Sequence, residues 1–267
     1  MMLMDLHIHS RYTFDAAPDD GVEQHTRAAI QKGLSQIGFT DHVDFFPNPA
    51  QDILADVDAV RREVMECRER YGDQIELFSS VEIGQLHLDP QRTHDYLSAH
   101  EFDYVIGSIH NSKDGVDIYE LPFGQMDHDA FLQEYFDEMQ AQIEFGHFDI
   151  LAHIDFPLRV MKLPDNNPSF AGYLDRIEPI LQSLIRKDIA LESNAKGLVT
   201  WQKQVGPEDC VLKLYRELGG ELITVGSDSH AAKTVGAGIP EALERLKAFG
   251  FQTVTTFRDR KPIQIAL

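Results

Sequence analysis

His7 and His9 stand two residues apart in Asp5-Leu6-His7-Ile8-His9. On an extended segment that spacing points both imidazoles to the same side. Asp228 and His230 repeat it near the other end of the chain. Neutral imidazole nitrogens and carboxylate oxygens together suit zinc, manganese or iron and need no thiolate. Donors of the same types follow other apolar runs: Asp41-His42, Glu82, His110 and His153. A lone His is more often a hydrogen-bonded core or surface residue, but that reading fits poorly to a set recurring at the ends of successive runs. Divalent ions held by such a set lower the pKa of water toward ~7 and stabilise charge on phosphoryl or carbonyl oxygens. His25, His87, His94, His100, His128 and His147 fall in expected helices or their flanks. They are assigned to solvation or local hydrogen bonding.

The apolar runs that must position these donors predict strands over Leu3–His7, Gln36–Thr40, Ile75–Ile83, Tyr104–Ile109, Ile150–His153, Ile189–Ser193, Leu222–Ser227 and Gln252–Thr255. Longer amphipathic stretches between them predict helices near 19–33, 52–71, 90–100, 127–146, 168–187, 207–218 and 238–249. Val57, Val60 and Val64 recur at helical spacing with charged residues between them. Gly33 and Gly146 stand where helix C-terminal caps are expected, and Pro207 suits a first helical turn. Alternating strands and helices argue for α/β architecture with a parallel sheet. One parallel barrel is the simplest form, with a doubly wound open sheet as the alternative. In a barrel the strand C-termini share one face, so donors far apart in sequence converge there.

The chain of 267 residues is long enough for one such barrel, and no linker-like tract divides it, so a single domain over 1–267 is expected. Its formal charge of −20 disfavours long nucleic acids and anionic membranes as partners. A small phosphorylated substrate remains compatible, because bound cations can reverse the local field. An 18-residue apolar run and a signal-peptide pattern are both missing from the sequence, and Cys67 and Cys210 do not form a disulfide framework. A cytoplasmic setting with reduced thiols is expected.

Six ordered stretches resemble the polymerase and histidinol phosphatase (PHP) superfamily. They are Asp5-Leu6-His7-Ile8-His9-Ser10, Phe39-Thr40-Asp41-His42, Val81-Glu82-Ile83-Gly84, Ile106-Gly107-Ser108-Ile109-His110, Leu151-Ala152-His153-Ile154-Asp155 and Gly226-Ser227-Asp228-Ser229-His230. The resemblance implies a distorted (β/α)7 barrel with three divalent ions (zinc, manganese or iron) at the C-terminal face of the strands. It implies His7, His9, Glu82 and Asp228 around one ion, and Glu82, His110 and His153 around a second. Asp15, His42 and His230 would hold a third. Many members carry His where this chain has Asp15; the histidinol-phosphatase-like branch often carries Asp. The His42-Val43-Asp44-Phe45 and His153-Ile154-Asp155-Phe156-Pro157-Leu158-Arg159 stretches are similar to that branch.

Hydrolysis of L-histidinol phosphate to L-histidinol and phosphate is therefore the implied reaction. Arg159 is the implied phosphate-binding residue, on a loop reaching over the pocket. Asp15, His42, Asp228 and His230 are the implied catalytic groups at the metals and the leaving oxygen. Asn194 and Lys196 follow the sixth strand and are weaker candidates to face the pocket. Competing readings are a PHP phosphoesterase acting on nucleotides or phosphotyrosine, an amidohydrolase cleaving C–N bonds, and a metal-binding regulatory protein without turnover.

Overall fold

The computed structural model describes residues 2–161, 168–200 and 202–267. The chain opens with β1 (Met4–Ile8), α1 (Val22–Gln31), β2 (Gln36–Phe39), β3 (His42–Asp44) and β4 (Ile53–Leu54). It continues through α2 (Val57–Tyr71), β5 (Glu76–Ser79), β6 (Val81–Gly84), α3 (Pro90–Ala99) and β7 (Val105–Ser108). Next come α4 (His128–Phe145), β8 (Ile150–Leu151), α5 (Leu174–Arg186), β9 (Ala190–Asn194) and α6 (Asp209–Glu217). The last elements are β10 (Ile223–Gly226), α7 (Ile239–Ala248), β11 (Thr253–Arg258) and β12 (Lys261–Ala266).

Hydrogen bonding arranges the parallel strands as β1-β2-β5 and as β10-β9-β8-β7-β6-β3, with β4 antiparallel at the outer edge of β3. Only Thr40 and Asp41 separate β2 from β3, and only Ser80 separates β5 from β6. Each of these pairs is one continuous stave that passes from the first sheet to the second. The ring closes where Asp228 N donates to His7 O (2.8 Å) and His9 N donates to Ser229 O (2.8 Å). The result is a distorted (β/α)7 barrel, the distortion lying at the two breaks.

Helix boundaries follow local chemistry. Asp56, Asp89 and Asp127 accept from the backbone N–H three residues on, capping α2, α3 and α4. Gly146 ends α4 with φ 77°. A small apolar core of Ile8, Val22, Phe39 and Val64 lies between α1, α2 and the first sheet, while the larger core fills the rest of the barrel layer. Among the described residues no helix is long and apolar enough to cross a membrane. Cys67 and Cys210 are unpaired.

Several expected boundaries shift. The single strand expected over Ile75–Ile83 is broken at Ser80, because Ser80 N donates to Phe39 O as the stave changes sheets. The helix expected from 52 starts at Val57, since Asp56 caps it and Ile53–Leu54 pair with β3. The helix expected from 168 starts at Leu174, after a 3-10 turn over Phe170–Gly172. Pro207 lies outside α6, behind a cis Gly206–Pro207 bond. The strand expected near 252–255 is β11, which stands outside the barrel order and pairs antiparallel with the unexpected β12.

Candidate metal centre

Alternation along β1 buries Asp5 and His7 within the barrel, and His9 continues the same series past the strand end. Glu82 on β6 lies at the middle of the strand-end face and is fully buried. Around its carboxylate stand five imidazoles: His7 Nε2 at 3.1 Å, His9 Nε2 at 3.5 Å, His42 Nδ1 at 3.1 Å, His110 Nε2 at 3.1 Å and His153 Nε2 at 2.9 Å. His9 Nε2 is also 3.6 Å from Asp228 Oδ1. Toward the mouth, His230 Nε2 is 3.1 Å from Asp15 Oδ2, and His42 Nε2 is 3.9 Å from Asp15 Oδ1. All nine expected donors thus form one connected cluster, in which Asp15, His42, His110, His153, Asp228 and His230 line the pocket while His7, His9 and Glu82 are fully buried.

This donor set fits divalent ions. With metal–ligand bonds of about 2.0–2.1 Å, the ligand atoms of a tetrahedral ion lie about 3.3 Å apart. His7 Nε2 is 3.1 Å from His9 Nε2 and 3.1 Å from Glu82 Oε2, and His9 Nε2 is 3.5 Å from Glu82 Oε2. That triangle has the size one ion needs. Three further groupings have ligand atoms within 4.8 Å of one another: His42-Glu82-His110, His7-His153-Asp228 and His9-His42-His230. His42 therefore sits between two clusters, its Nδ1 toward Glu82 and its Nε2 toward Asp15.

Burial opposes ionisation of Glu82, yet His7, His110 and His42 outweigh it and hold the carboxyl well below its usual range. Asp228 is held low in the same way, by Lys196 and Arg159 against its burial. His9 is pushed the other way: burial, then His230 and His42, keep its ring neutral. Burial likewise favours the neutral ring of His153, while His7 and His110, against their burial, are pushed well up by Glu192 and Asp44. Metal binding needs the neutral ring, so an ion held by His7 or His110 would displace a proton.

Arg159 departs from expectation. It ends a 3-10 turn over Phe156–Arg159, is 6% exposed, and donates from Nη1 to Asp228 Oδ2 at 2.7 Å. It forms part of the pocket floor, with no reach across from a surface loop, because Asp228 offers it a buried counter-charge. Lys196 does face the pocket: Nζ donates to Asp228 O at 2.7 Å and lies 3.1 Å from His230 Nδ1. Asn194 Nδ2 donates to Glu192 Oε2 at 3.0 Å and lies 3.4 Å from Asp228 Oδ2. The cavity above, about 330 Å³, is walled on its apolar side by Phe14, Phe46, Tyr119 and Phe156.

Two buried acids escaped sequence reasoning as parts of the site. Glu192 Oε1 accepts from His7 Nδ1 at 2.7 Å, and Asp44 Oδ2 accepts from His110 Nδ1 at 2.9 Å. Asp44 stands two residues after His42 on β3, the spacing also seen at His7 and His9, so a signal for it was present in the sequence. Glu192 precedes Asn194 by two residues on β9, the only pattern that could have pointed to it. The helical histidines stay outside the cluster. His25, for example, is buried against Gly21 O, and His87 pairs with Glu138.

Comparison with known proteins places this geometry. The histidinol-phosphatase of Lactococcus lactis subsp. lactis is 26% identical over 270 residues, spanning 98% of this chain and 96% of the relative. A "Probable histidinol-phosphatase" of Clostridium acetobutylicum is 29% identical over 247 residues, 91% of this chain and 92% of the relative. The crystal structure of the Lactococcus lactis histidinol phosphate phosphatase, complexed with zinc, L-histidinol and phosphate, superposes with a TM-score of 0.86 at 26% identity, covering 98% of both chains. The PHP domain family profile matches residues 5–196, which is most of the chain, so this protein belongs to the PHP domain family.

Proposed function

We propose that this protein is a metal-dependent phosphatase that hydrolyses L-histidinol phosphate to L-histidinol and phosphate, with residues 1–267 acting as one domain. The observation that carries the proposal is the convergence of nine His, Asp and Glu side chains in one cluster at a pocket that also holds the buried Arg159 and the half-buried Lys196. A relative of the same fold is described with zinc, L-histidinol and phosphate. The two unpaired cysteines suit a reducing, cytoplasmic setting.

In this reading His7, His9, Glu82 and Asp228 hold one divalent ion, with Glu82 shared toward a second held by His110 and His153. Asp15, His42 and His230 hold a third, and zinc, manganese and iron all suit these donors. When bound, the ions supply a lowered pKa for water and positive charge facing the phosphoryl oxygens. Arg159 lends two parallel N–H donors to nonbridging oxygens, a geometry that fits phosphate. Its pairing with Asp228 fixes the guanidinium before substrate arrives. Lys196 adds a second cation at the same wall. As ligands of the third ion, Asp15 and His230 would place positive charge at the half-exposed mouth, where it can stabilise the leaving oxygen. Phe14, Phe46, Tyr119 and Phe156 exclude water around the organic half of the substrate.

The test is steady-state kinetics on matched substrates: L-histidinol phosphate, a nucleoside monophosphate, phosphotyrosine and a cyclic amide. A kcat/KM for L-histidinol phosphate at least 100-fold above the others supports the proposal. A preference for a nucleotide or phosphotyrosine would leave the phosphatase chemistry and overturn the substrate, while amide cleavage would overturn both.

A further inference from the structure

We infer that Asp44 and Glu192 are positioning residues for metal binding, each seated over a glycine and each turning one histidine so that its Nε2 faces Glu82. The inference rests on reading these histidines as metal ligands.

The two arrangements are built alike on different strands. His7 Nδ1 donates to Glu192 Oε1 at 2.7 Å while its Nε2 lies 3.1 Å from Glu82 Oε2. His110 Nδ1 donates to Asp44 Oδ2 at 2.9 Å while its Nε2 lies 3.1 Å from Glu82 Oε1. A carboxylate at Nδ1 selects the tautomer with hydrogen there, leaving the Nε2 lone pair free for an ion. By contrast, the Nδ1 atoms of His9 and His153 are buried and have no hydrogen-bond partner among the described residues, and His42 turns its Nδ1 toward Glu82 itself. Of the four imidazoles that present Nε2 to Glu82, two are therefore fixed in tautomer and orientation by a second anion, and two are not.

Both carboxylates are themselves anchored. Glu192 Oε2 accepts from His153 N at 2.8 Å and from Asn194 Nδ2 at 3.0 Å. Asp44 Oδ1 accepts from Gly84 N at 3.1 Å. The glycines beneath them supply the room. A Cβ on Gly84 would stand 2.4 Å from Asp44 Oδ1 and 2.8 Å from its Cγ. A Cβ on Gly226 would stand 2.5 Å from Glu192 Oε1 and 2.5 Å from His7 Cβ. Neither glycine is among the positive-φ residues, so the backbone at each would accept alanine. What alanine would displace is the carboxylate–histidine pair.

The test uses full-length protein stripped with a chelator and titrated with zinc against a competing fluorescent chelator. Wild type is compared with Asp44→Asn, Glu192→Gln and Gly84→Ala, and metal-free melting temperature is recorded for each. Loss of such a hydrogen-bonding partner weakens metal affinity by roughly 10- to 100-fold. The expected result is a rise of that size in the zinc dissociation constant of at least one site in every variant. Metal-free melting should stay near the wild-type value, which separates weakened zinc binding from loss of the fold. The pairs lie on separate strands, so a variant that fails to fold at one leaves the other to decide. Wild-type zinc affinity in Asp44→Asn and Glu192→Gln would overturn the inference and leave the metal centre standing. Absence of zinc binding by wild type itself would instead overturn the metal-centre reading.

Discussion

Glu82 concentrates the electrostatics of the site: one buried carboxylate accounts for contacts with five imidazoles. Replacing one of its oxygens by an amide removes the charge those rings are arranged around. We expect Glu82→Gln to lower kcat at least roughly 100-fold and to reduce bound metal, with the barrel still folded by circular dichroism. Normal turnover at normal metal content would remove Glu82 from the bridging position. Arg159 acts on phosphate and on Asp228 together. Arg159→Ala loses a charged hydrogen bond of about 1.5–3 kcal/mol, which lowers kcat/KM roughly 10- to 150-fold on a phosphomonoester. Arg159→Lys keeps the charge without the planar fork and should fall between Ala and wild type. Because Asp228 Oδ2 loses its 2.7 Å partner in the alanine variant, zinc affinity should fall as well. Equal kinetics for all three proteins would move the phosphate clamp to Lys196.

At the scale of elements, the strand ends were the legible part. His7-Ile8-His9 and Asp228-Ser229-His230 carry a two-residue spacing that survives without any structure, and the other donors each follow an apolar run. The structure brings those ends together because the closing hydrogen bonds between His7, His9, Asp228 and Ser229 join the first and last staves. Glu192 was not legible, since one acid within a buried strand looks like any other until its partner is seen. The break at Ser80 was hidden because Ile75–Ile83 interleaves apolar residues with Glu76, Ser79, Ser80 and Glu82 and has no Gly or Pro to mark a change of sheet. β12 was missed because Pro262 and mostly exposed residues read as a tail, and the Asp259-Arg260 turn, at φ 50° and 59°, lacks the usual Asn-Gly signal. Its partner β11 closes the other end of the barrel: Phe257 is buried against Tyr104, and Thr255 Oγ1 accepts from Ile223 N at 3.0 Å. Phe257→Ala should cost about 3–5 kcal/mol, roughly 5–9 °C in Tm for a chain of this length, with kcat at saturating metal little changed. A comparable loss of kcat without a fall in Tm would show that the hairpin reaches the site.

Across the whole molecule, a chain of net charge −20 places several of its acids inside one pocket, where only cations can offset them. Ions that bind the folded chain and not the unfolded one stabilise it by about 4 kcal/mol at a thousandfold excess over Kd. Chelation should therefore lower Tm, and zinc or manganese should restore it; an unchanged Tm would mean that the ions are not held by the folded barrel. Hydrolysis of L-histidinol phosphate by this centre, as proposed, depends on its metals being in place. The direct measurement is phosphate release from L-histidinol phosphate by chelator-stripped protein, before and after reconstitution with zinc, manganese or iron, with bound metal quantified in the same samples. The expected result is negligible release from the stripped protein and turnover that rises with bound metal toward the three ions per chain proposed above. Phosphate release that persists without metal, or fully loaded protein that leaves L-histidinol phosphate intact, would contradict it.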